Sequence, residues 1–318
     1  MSKTVLITGA NGFIGKNLVK YIMGNTSWNV IALDKTQKDD LGDGGGRYKD
    51  YCVDLLNKND FSKIVEPFDY VVHLAAQKDV SGSYADIGPY ITTNVLGTAN
   101  LLDWLRTKPF DKMINFSTAA VIGANKLIVD ENAKYDPMNP YAGTKAAQEL
   151  ICISYANTFQ LPIVNVRIDT PFGPCQPEKN LVPTIINNMI NNQPIKFYGK
   201  DVPFSNEFCS RNWVYVDVIS KNIINILINE TKKAIEKFPI HIVGYTCSIP
   251  YMFGMIKQFI DTTYSKFEWF LVDEKSHVSD QHLKYDLRSF YSNEQPIEQF
   301  KESIKETVEW YKNHYIKN

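Results

Sequence analysis

The sequence predicts an α/β fold: a doubly wound parallel sheet with helices on both faces, followed by a smaller C-terminal α/β lobe. Three observations predict it. Short apolar runs alternate with segments of helical period up to residue 168. The first apolar run stops at a cluster of glycines that opens a helix. Beyond residue 168, Pro171, Pro174 and Pro177 interrupt the alternation. A chain that repeats strand and helix in this way lays its strands parallel and buries both sheet faces.

The elements follow in order. Residues 4–8 (TVLIT) form an apolar run too short for a helix and read as a buried strand. Apolar residues at helical spacing over 13–23 predict the first helix. Residues 28–33 (WNVIAL) are a second strand ending at Asp34, residues 51–53 a third and residues 70–74 (YVVHL) a fourth. Residues 113–116 (MINF) are a fifth and 162–168 (PIVNVRI) a sixth, with helices predicted over 91–105 and 141–159. A helix near 181–191, a strand at 195–199, a return to the main unit over 213–227 and a strand at 239–244 come next. A charged amphipathic helix over 297–311 closes the chain. The division expected is residues 1–170 plus about 211–246 for one domain, and about 171–210 with 247–318 for the other. Residues 43–46 (DGGG) read as a loop without the Lys-Ser/Thr of a P-loop.

Composition narrows the function. The 318 residues are 44% hydrophobic and 22% charged, enough for a substantial core. A net charge of −1 argues against nucleic acid or an anionic membrane as partner. Cys52, Cys152, Cys175, Cys209 and Cys247 are odd in number and match no zinc spacing, so reduced thiols in a cytoplasmic protein and no metal site are expected. No secretory pattern precedes the first strand, and no apolar run approaches the roughly 18 residues that span a bilayer.

The glycines define a candidate cofactor site. Gly9, Gly12 and Gly15 stand between the first strand and the first helix, around Phe13 and Ile14. One glycine permits a tight turn, one lets backbone approach a pyrophosphate, and one lets helix pack on strand. Free N–H groups of the helix then face the phosphates. Asp34 ends the second strand where a carboxylate would accept both ribose hydroxyls, and it would repel a 2′-phosphate. NAD is therefore the cofactor expected. Asp54 and Leu55, after the third strand, could flank the adenine.

Tyr141 and Lys145 carry the candidate chemistry. At i and i+4 on one helix they share a face, so phenol and ammonium project side by side. A phenol with a pKa near ~10 is a poor base. A neighbouring ammonium is expected to lower that value and fit the phenol for proton transfer. Ser117 and Thr118, expected just past the fifth strand, supply a hydroxyl at the sheet edge where such folds bind ligands.

With these pieces in order, the sequence resembles the NAD-dependent epimerase/dehydratase family, the extended short-chain dehydrogenases. The resemblance runs nearly end to end. It rests on the glycine motif, HLAAQ at 73–77, TNVLGT at 93–98, residues 117–123, and Tyr141 with Lys145. It continues through QPEK at 176–179 with LVP at 181–183, RNWVYVD at 211–217 and TVEWY at 307–311. The resemblance implies a Rossmann cofactor domain, a nucleotide-diphosphate sugar as substrate, and a catalytic triad of Thr118, Tyr141 and Lys145. Lys145 would also hold the nicotinamide ribose, Phe13 and Ile14 backbone would meet the pyrophosphate, and Leu74, Ala75 and Ala76 would line the cofactor. Gln77, Ser83, Asn94 and Thr170 would lie near the sugar or the triad, while Leu181 and Arg211 would grip the diphosphate. It also implies a homodimer in which helices 91–105 and 141–159 pair as a four-helix bundle.

Departures bear on the reaction. Many sugar 4,6-dehydratases of this family carry an acidic pair after the catalytic threonine, where this chain has Ala119 and Ala120. Eliminating water across C5–C6 needs an acid and a base, and alanine is neither. Ile122, Thr170 and Gly82 stand where the family usually has Tyr, Asn and Arg. The reading is thus a nucleotide-sugar epimerase that transiently oxidises C4. A 4-dehydrogenase or 4-keto reductase with net NAD(H) turnover is the alternative, ahead of a dehydratase or a non-catalytic NAD-sensing protein.

Overall fold

In a computed structural model of the chain, β1 (Thr4–Thr8) lies between two parallel neighbours, β2 (Asn29–Asp34) and β4 (Tyr70–His73). Both its faces are covered, which is why TVLIT shows no polar alternation. The structure describes residues 2–36, 46–123, 133–199, 210–229, 239–271 and 295–316. The loop read at 43–46 lies mostly outside them, as does Cys209.

The chain forms two compact units: Met1–Gly123, Glu131–Ile168 and Ile219–Ile242 in one, and Ala124–Asp130, Asp169–Val218 and Val243–Asn318 in the other. Residues 169–170, 211–218 and 243–246, expected in the first unit, group with the second.

The first unit begins with β1, α1 (Phe13–Asn25) and β2, then β3 (Tyr48–Cys52) beside β2 and β4 on the other side of β1. After α2 (Val80–Ala85) comes one continuous helical run: α3 (Gly88–Tyr90), a π-helical stretch (Ile91–Gly97) and α4 (Thr98–Leu105). β5 (Lys112–Thr118), α5 (Pro140–Phe159) and β6 (Ile163–Ile168) complete the expected alternation. With β10 (Ile240–Ile242), the seven parallel strands stand in the order β10-β6-β5-β4-β1-β2-β3. The order reverses between β1 and β4, and such a switch point opens a ligand crevice at the carboxyl ends of the strands. A core including Leu6, Leu33, Val71, Leu101 and Met113 fills one face, with Phe61 stacked on Trp104 at 5.1 Å.

Lys112 and Glu149 show how polar groups enter this interior. Lys112 donates to the carbonyls of Ile226 (2.7 Å) and Asn229 (2.6 Å), at the C-terminal end of α7 (Val216–Ile228), where a helix leaves acceptors unfilled. Glu149, from α5, is fully buried and receives Arg167 Nε at 3.0 Å and Nη2 at 2.7 Å, with Tyr135 donating to it at 2.9 Å. A buried carboxylate persists only when paired in this way.

The second unit holds a three-stranded sheet of β7 (Thr170–Phe172), β9 (Ser210–Tyr215) and β11 (Tyr245–Ser248), with β9 central. A parallel pair, β8 (Ile195–Gly199) and β12 (Phe267–Leu271), stands apart from it. Its helices α6 (Leu181–Ile190), α8 (Ile249–Ile260) and α9 (Ile297–Ile316) pack on one another. Phe300 of α9 stacks on Tyr245 at 4.6 Å and meets Phe172 edge-on at 5.6 Å. The sequence reading has no counterpart to α8. Ser248 caps it by accepting from the Tyr251 N–H, and Pro250 occupies its first turn.

Candidate active site

The turn after β1 is shaped for close backbone approach. Gly9 has φ +69°, and a Cβ there would lie 2.7 Å from the Ala75 nitrogen. A Cβ on Gly15 would lie 2.3 Å from the Gly9 carbonyl oxygen. Both positions therefore exclude every other residue: the first by conformation and contact, the second by contact alone. No side chain caps α1, so the N–H groups of Phe13 and Ile14 face outward from a helix start with no acid in its first turn. That arrangement suits a pyrophosphate.

A cleft of about 300 Å³ opens beside this turn, within the range of ligand pockets. Gly9, Gly12, Phe13, Ile14 and Gly15 line it, together with Asp34, Asp54, Leu55, Leu74, Ala75, Ala76 and Gln77. The structure brings together here every residue assigned to the cofactor from sequence except Lys145. Lys35, Lys78 and Thr93 also line the cleft and were missed. Adjacency to Asp34 and Gln77 was the available signal for the two lysines. Asp34 Oδ2 accepts the Asn11 N–H at 3.0 Å, and Oδ1 accepts from the Thr36 hydroxyl at 3.2 Å. A carboxylate retains further lone pairs for ribose hydroxyls. The residues present thus fit a dinucleotide with a free 2′-hydroxyl.

The candidate triad lies where β5 meets α5. β5 runs on through Thr118, so Ser117 and Thr118 are strand residues rather than a loop past the strand. Asn139 caps α5 by accepting the Ala142 N–H at 2.8 Å, which sets Tyr141 in the first turn. The Thr118 hydroxyl stands beside the Tyr141 phenol and favours its phenolate. Burial pushes the phenol up to about 12, Thr118 pulls the other way, and Tyr90 adds a smaller upward push.

The expected lowering by lysine is not what the site holds. Lys145 is 3% exposed and donates to the Phe116 carbonyl at 2.7 Å and to Gln148 Oε1. Burial lowers its ammonium to about 8, opposed by the charge of Glu149. The i, i+4 spacing places the two groups on one face, but backbone and side-chain oxygens engage the ammonium first.

Two residues expected near the sugar or the triad hold the protein's own backbone. Asn94 is fully buried in the π-helical stretch. Its Oδ1 accepts the Gln77 N–H at 2.8 Å, and its amide donates to the Gln77 carbonyl and to Thr144 Oγ1, both at 3.0 Å. Asn94 thus fastens the loop that carries Gln77 to α5. Ser83 donates to the Val80 carbonyl at 2.6 Å and accepts the Tyr141 N–H at 3.2 Å, so it seats the first turn of α5. It does stand beside the triad, through backbone. Thr170, Leu181 and Arg211 belong to the second unit, at the start of β7, the start of α6 and within β9. Thr170 Oγ1 donates to Asp169 Oδ1 at 3.0 Å.

Comparison with known proteins gives consistent results. A model of the NAD dependent epimerase/dehydratase family matches residues 5–236. A dTDP-glucose 4,6-dehydratase of Neisseria gonorrhoeae is 26% identical over 342 residues, covering 97% of this chain and 95% of that protein. The low-salt glycan biosynthesis protein Agl12 of Haloferax volcanii is 32% identical over 222 residues, covering 67% of this chain and 69% of that protein. Among solved structures, a UDP-N-acetylglucosamine 4-epimerase from Methanobrevibacter ruminantium, in complex with UDP-N-acetylmuramic acid, matches with a TM-score of 0.83. It is 26% identical and covers 98% of this chain and 99% of that one.

Proposed function

Because the chain belongs to the NAD-dependent epimerase/dehydratase family, we propose that it is a nucleotide-sugar epimerase acting by transient oxidation at C4 of the sugar. The observation that carries this reading is the pairing of the Tyr141 phenol with Thr118 immediately before Ala119 and Ala120. The first pair can handle a hydroxyl proton. The second can neither add nor remove one, which disfavours the elimination that a 4,6-dehydratase performs.

In this reading Tyr141 Oη takes the proton of the C4 hydroxyl as the C4 hydride leaves; after the 4-keto sugar turns, hydride would return to the opposite face of C4 while Tyr141 gives the proton back to the C4 oxygen. Thr118 Oγ donates to the C4 oxygen and steadies the charge that develops there. Lys145 holds the nicotinamide ribose with the N–H left over from Phe116 and Gln148. NAD, when bound, supplies the acceptor and donor for the C4 hydride, and its oxidised ring favours phenolate over phenol. Gly9, Gly12, Gly15, Phe13, Ile14 and Asp34 hold its pyrophosphate and adenosine ribose. Gln77, Thr170, Leu181 and Arg211 are proposed to serve the nucleotide sugar.

A homodimer belongs to the same proposal. Ile91 and Leu96 of the helical run are 47% and 51% exposed, and Leu150 and Ile153 of α5 are 51% and 38% exposed. A second copy covering these side chains in a four-helix bundle removes them from water.

The test is product analysis by NMR after incubation with NAD and a panel of UDP-, dTDP- and GDP-sugars. A C4-inverted sugar without net NADH supports an epimerase. NADH accumulating in proportion to substrate makes the chain a 4-dehydrogenase, and a 4-keto-6-deoxy product overturns the argument from Ala119 and Ala120.

A further inference from the structure

Lys145 is joined to the glycine turn by an unbroken chain of buried hydrogen bonds. Thr8 Oγ1 meets His73 Nδ1 at 2.7 Å, and His73 Nε2 meets Thr98 Oγ1 at 2.9 Å. Gln148 Nε2 donates to Thr98 Oγ1 at 3.0 Å, and Gln148 Oε1 accepts from Lys145 Nζ. All five residues are 3% exposed or less.

The direction of every bond is determined by one proton. The Thr98 hydroxyl donates to the Asn94 carbonyl at 2.7 Å, its own helical acceptor, so toward His73 and Gln148 it can only accept. The Gln148 amide nitrogen must therefore face Thr98, which turns Oε1 to Lys145. His73 must carry its proton on Nε2, which leaves Nδ1 to accept from Thr8. Thr8 in turn receives the Ala75 N–H at 3.2 Å. Burial keeps the imidazole neutral, its pKa held down to about 3, so acid does not reverse the chain near neutral pH.

We propose that Gln148 is a positioning residue that keeps Lys145 cationic and aimed, and that Thr98 locks Gln148 in the orientation that does so. The inference rests on the reading of Lys145 as part of the active site, but its central quantity is a property of the folded chain alone. An ammonium this deeply buried loses its proton readily unless neutral oxygens bind the charged form. Phe116 from β5 and Gln148 from α5 supply them. The titratable groups facing it are Glu149 and Cys152 on α5 and His73 on β4. Removing Oε1 takes away a bond to a charged donor and leaves these groups unchanged.

The experiment is an NMR titration of the Lys145 Nζ and Cε resonances, assigned with Lys145→Met, in the wild type, Gln148→Leu, Gln148→Glu and Thr98→Val. Gln148→Leu lowers the Lys145 pKa by about one unit, and Gln148→Glu raises it by a similar amount. Thr98→Val gives a smaller fall while touching nothing on the lysine. The alkaline limb of the kcat profile moves with each. Shifts in opposite directions cannot come from general loosening of the fold. Equal pKa values in all four proteins, or falls in both Gln148 variants, overturn the inference. Shifts as stated in a protein that acts on no nucleotide sugar leave the inference standing and overturn the proposed function.

Discussion

The phenol of Tyr141, in the first turn of α5, faces the hydroxyl of Thr118 at the end of β5, which favours its phenolate. Two groups able to share one substrate proton are therefore set by regular structure on both sides. Tyr141→Phe is expected to lower kcat by about 10²–10⁴-fold, the usual worth of a positioned acid–base group. Thr118→Ala is expected to lower it about 10²-fold, as for loss of one oxyanion donor, and Thr118→Ser to recover most of that. NAD affinity, measured by calorimetry, should stay within a few-fold of wild type in all three.

Asp34 decides between dinucleotides. Its carboxylate lines the cleft beside the glycine turn and already ties Asn11 and Thr36. Loss of a charged hydrogen-bond acceptor for ribose hydroxyls should weaken NAD by about 10–100-fold in Asp34→Ala. NADP should bind better than to wild type, because the repelling charge is gone and Lys35 remains in the cleft. Calorimetric titration of both dinucleotides checks the reversal of preference.

The Arg167–Glu149 pair predicts an effect on stability. Both side chains are buried, 2.7 Å apart, and the Arg167 guanidinium lies 5.1 Å over the Tyr135 ring. Glu149→Ala strands the guanidinium and is expected to cost about 3–5 kcal/mol. A double variant, Glu149→Leu with Arg167→Met, should recover much of the loss, since it removes both charges of the pair together. Urea denaturation of the single and double variants gives the comparison.

Acid should destabilise the protein in a window set by histidine. Burial lowers both His73 and His241 from 6.5 to about 3, assisted by the charges of Lys145 and Arg167 respectively. Below about pH 6.5 the unfolded chain takes up protons that the folded chain refuses. Stability present above that pH drains as pH falls toward 3. Between pH 6.5 and 5, above the main carboxylate range, the slope should approach two protons. His73→Asn should flatten it by about one. Denaturation midpoints across that window measure the slope, and a flat wild-type profile contradicts the neutral buried state of both rings.

Much of the first unit was legible because parallel strands buried on both faces read as unbroken apolar runs: β1, β2, β4 and β6 fall within one or two residues of their expected ends. β3 was harder, since Tyr48–Cys52 is an edge strand whose partly exposed residues carry little apolar signal. The glycine turn was legible because its contacts forbid other residues. The direction of Lys145 was not. It depends on Gln148, three residues on, and on Thr98, 50 residues from Gln148 in sequence. Asn94 is placed near the sugar or the triad by resemblance, and nothing in the sequence signals the π-helical turn that aims it at Gln77.

The most direct test follows the hydrogen at C4. The nucleotide sugar that the panel identifies is deuterated at C4 and incubated with the NAD-loaded protein in ordinary water. Proton exchange at Tyr141 Oη, with hydride leaving and returning at one carbon, predicts an inverted product that keeps its deuterium at C4, and none from Tyr141→Phe. An inverted product with solvent hydrogen at C4, or a Tyr141→Phe protein as fast as the wild type, contradicts it.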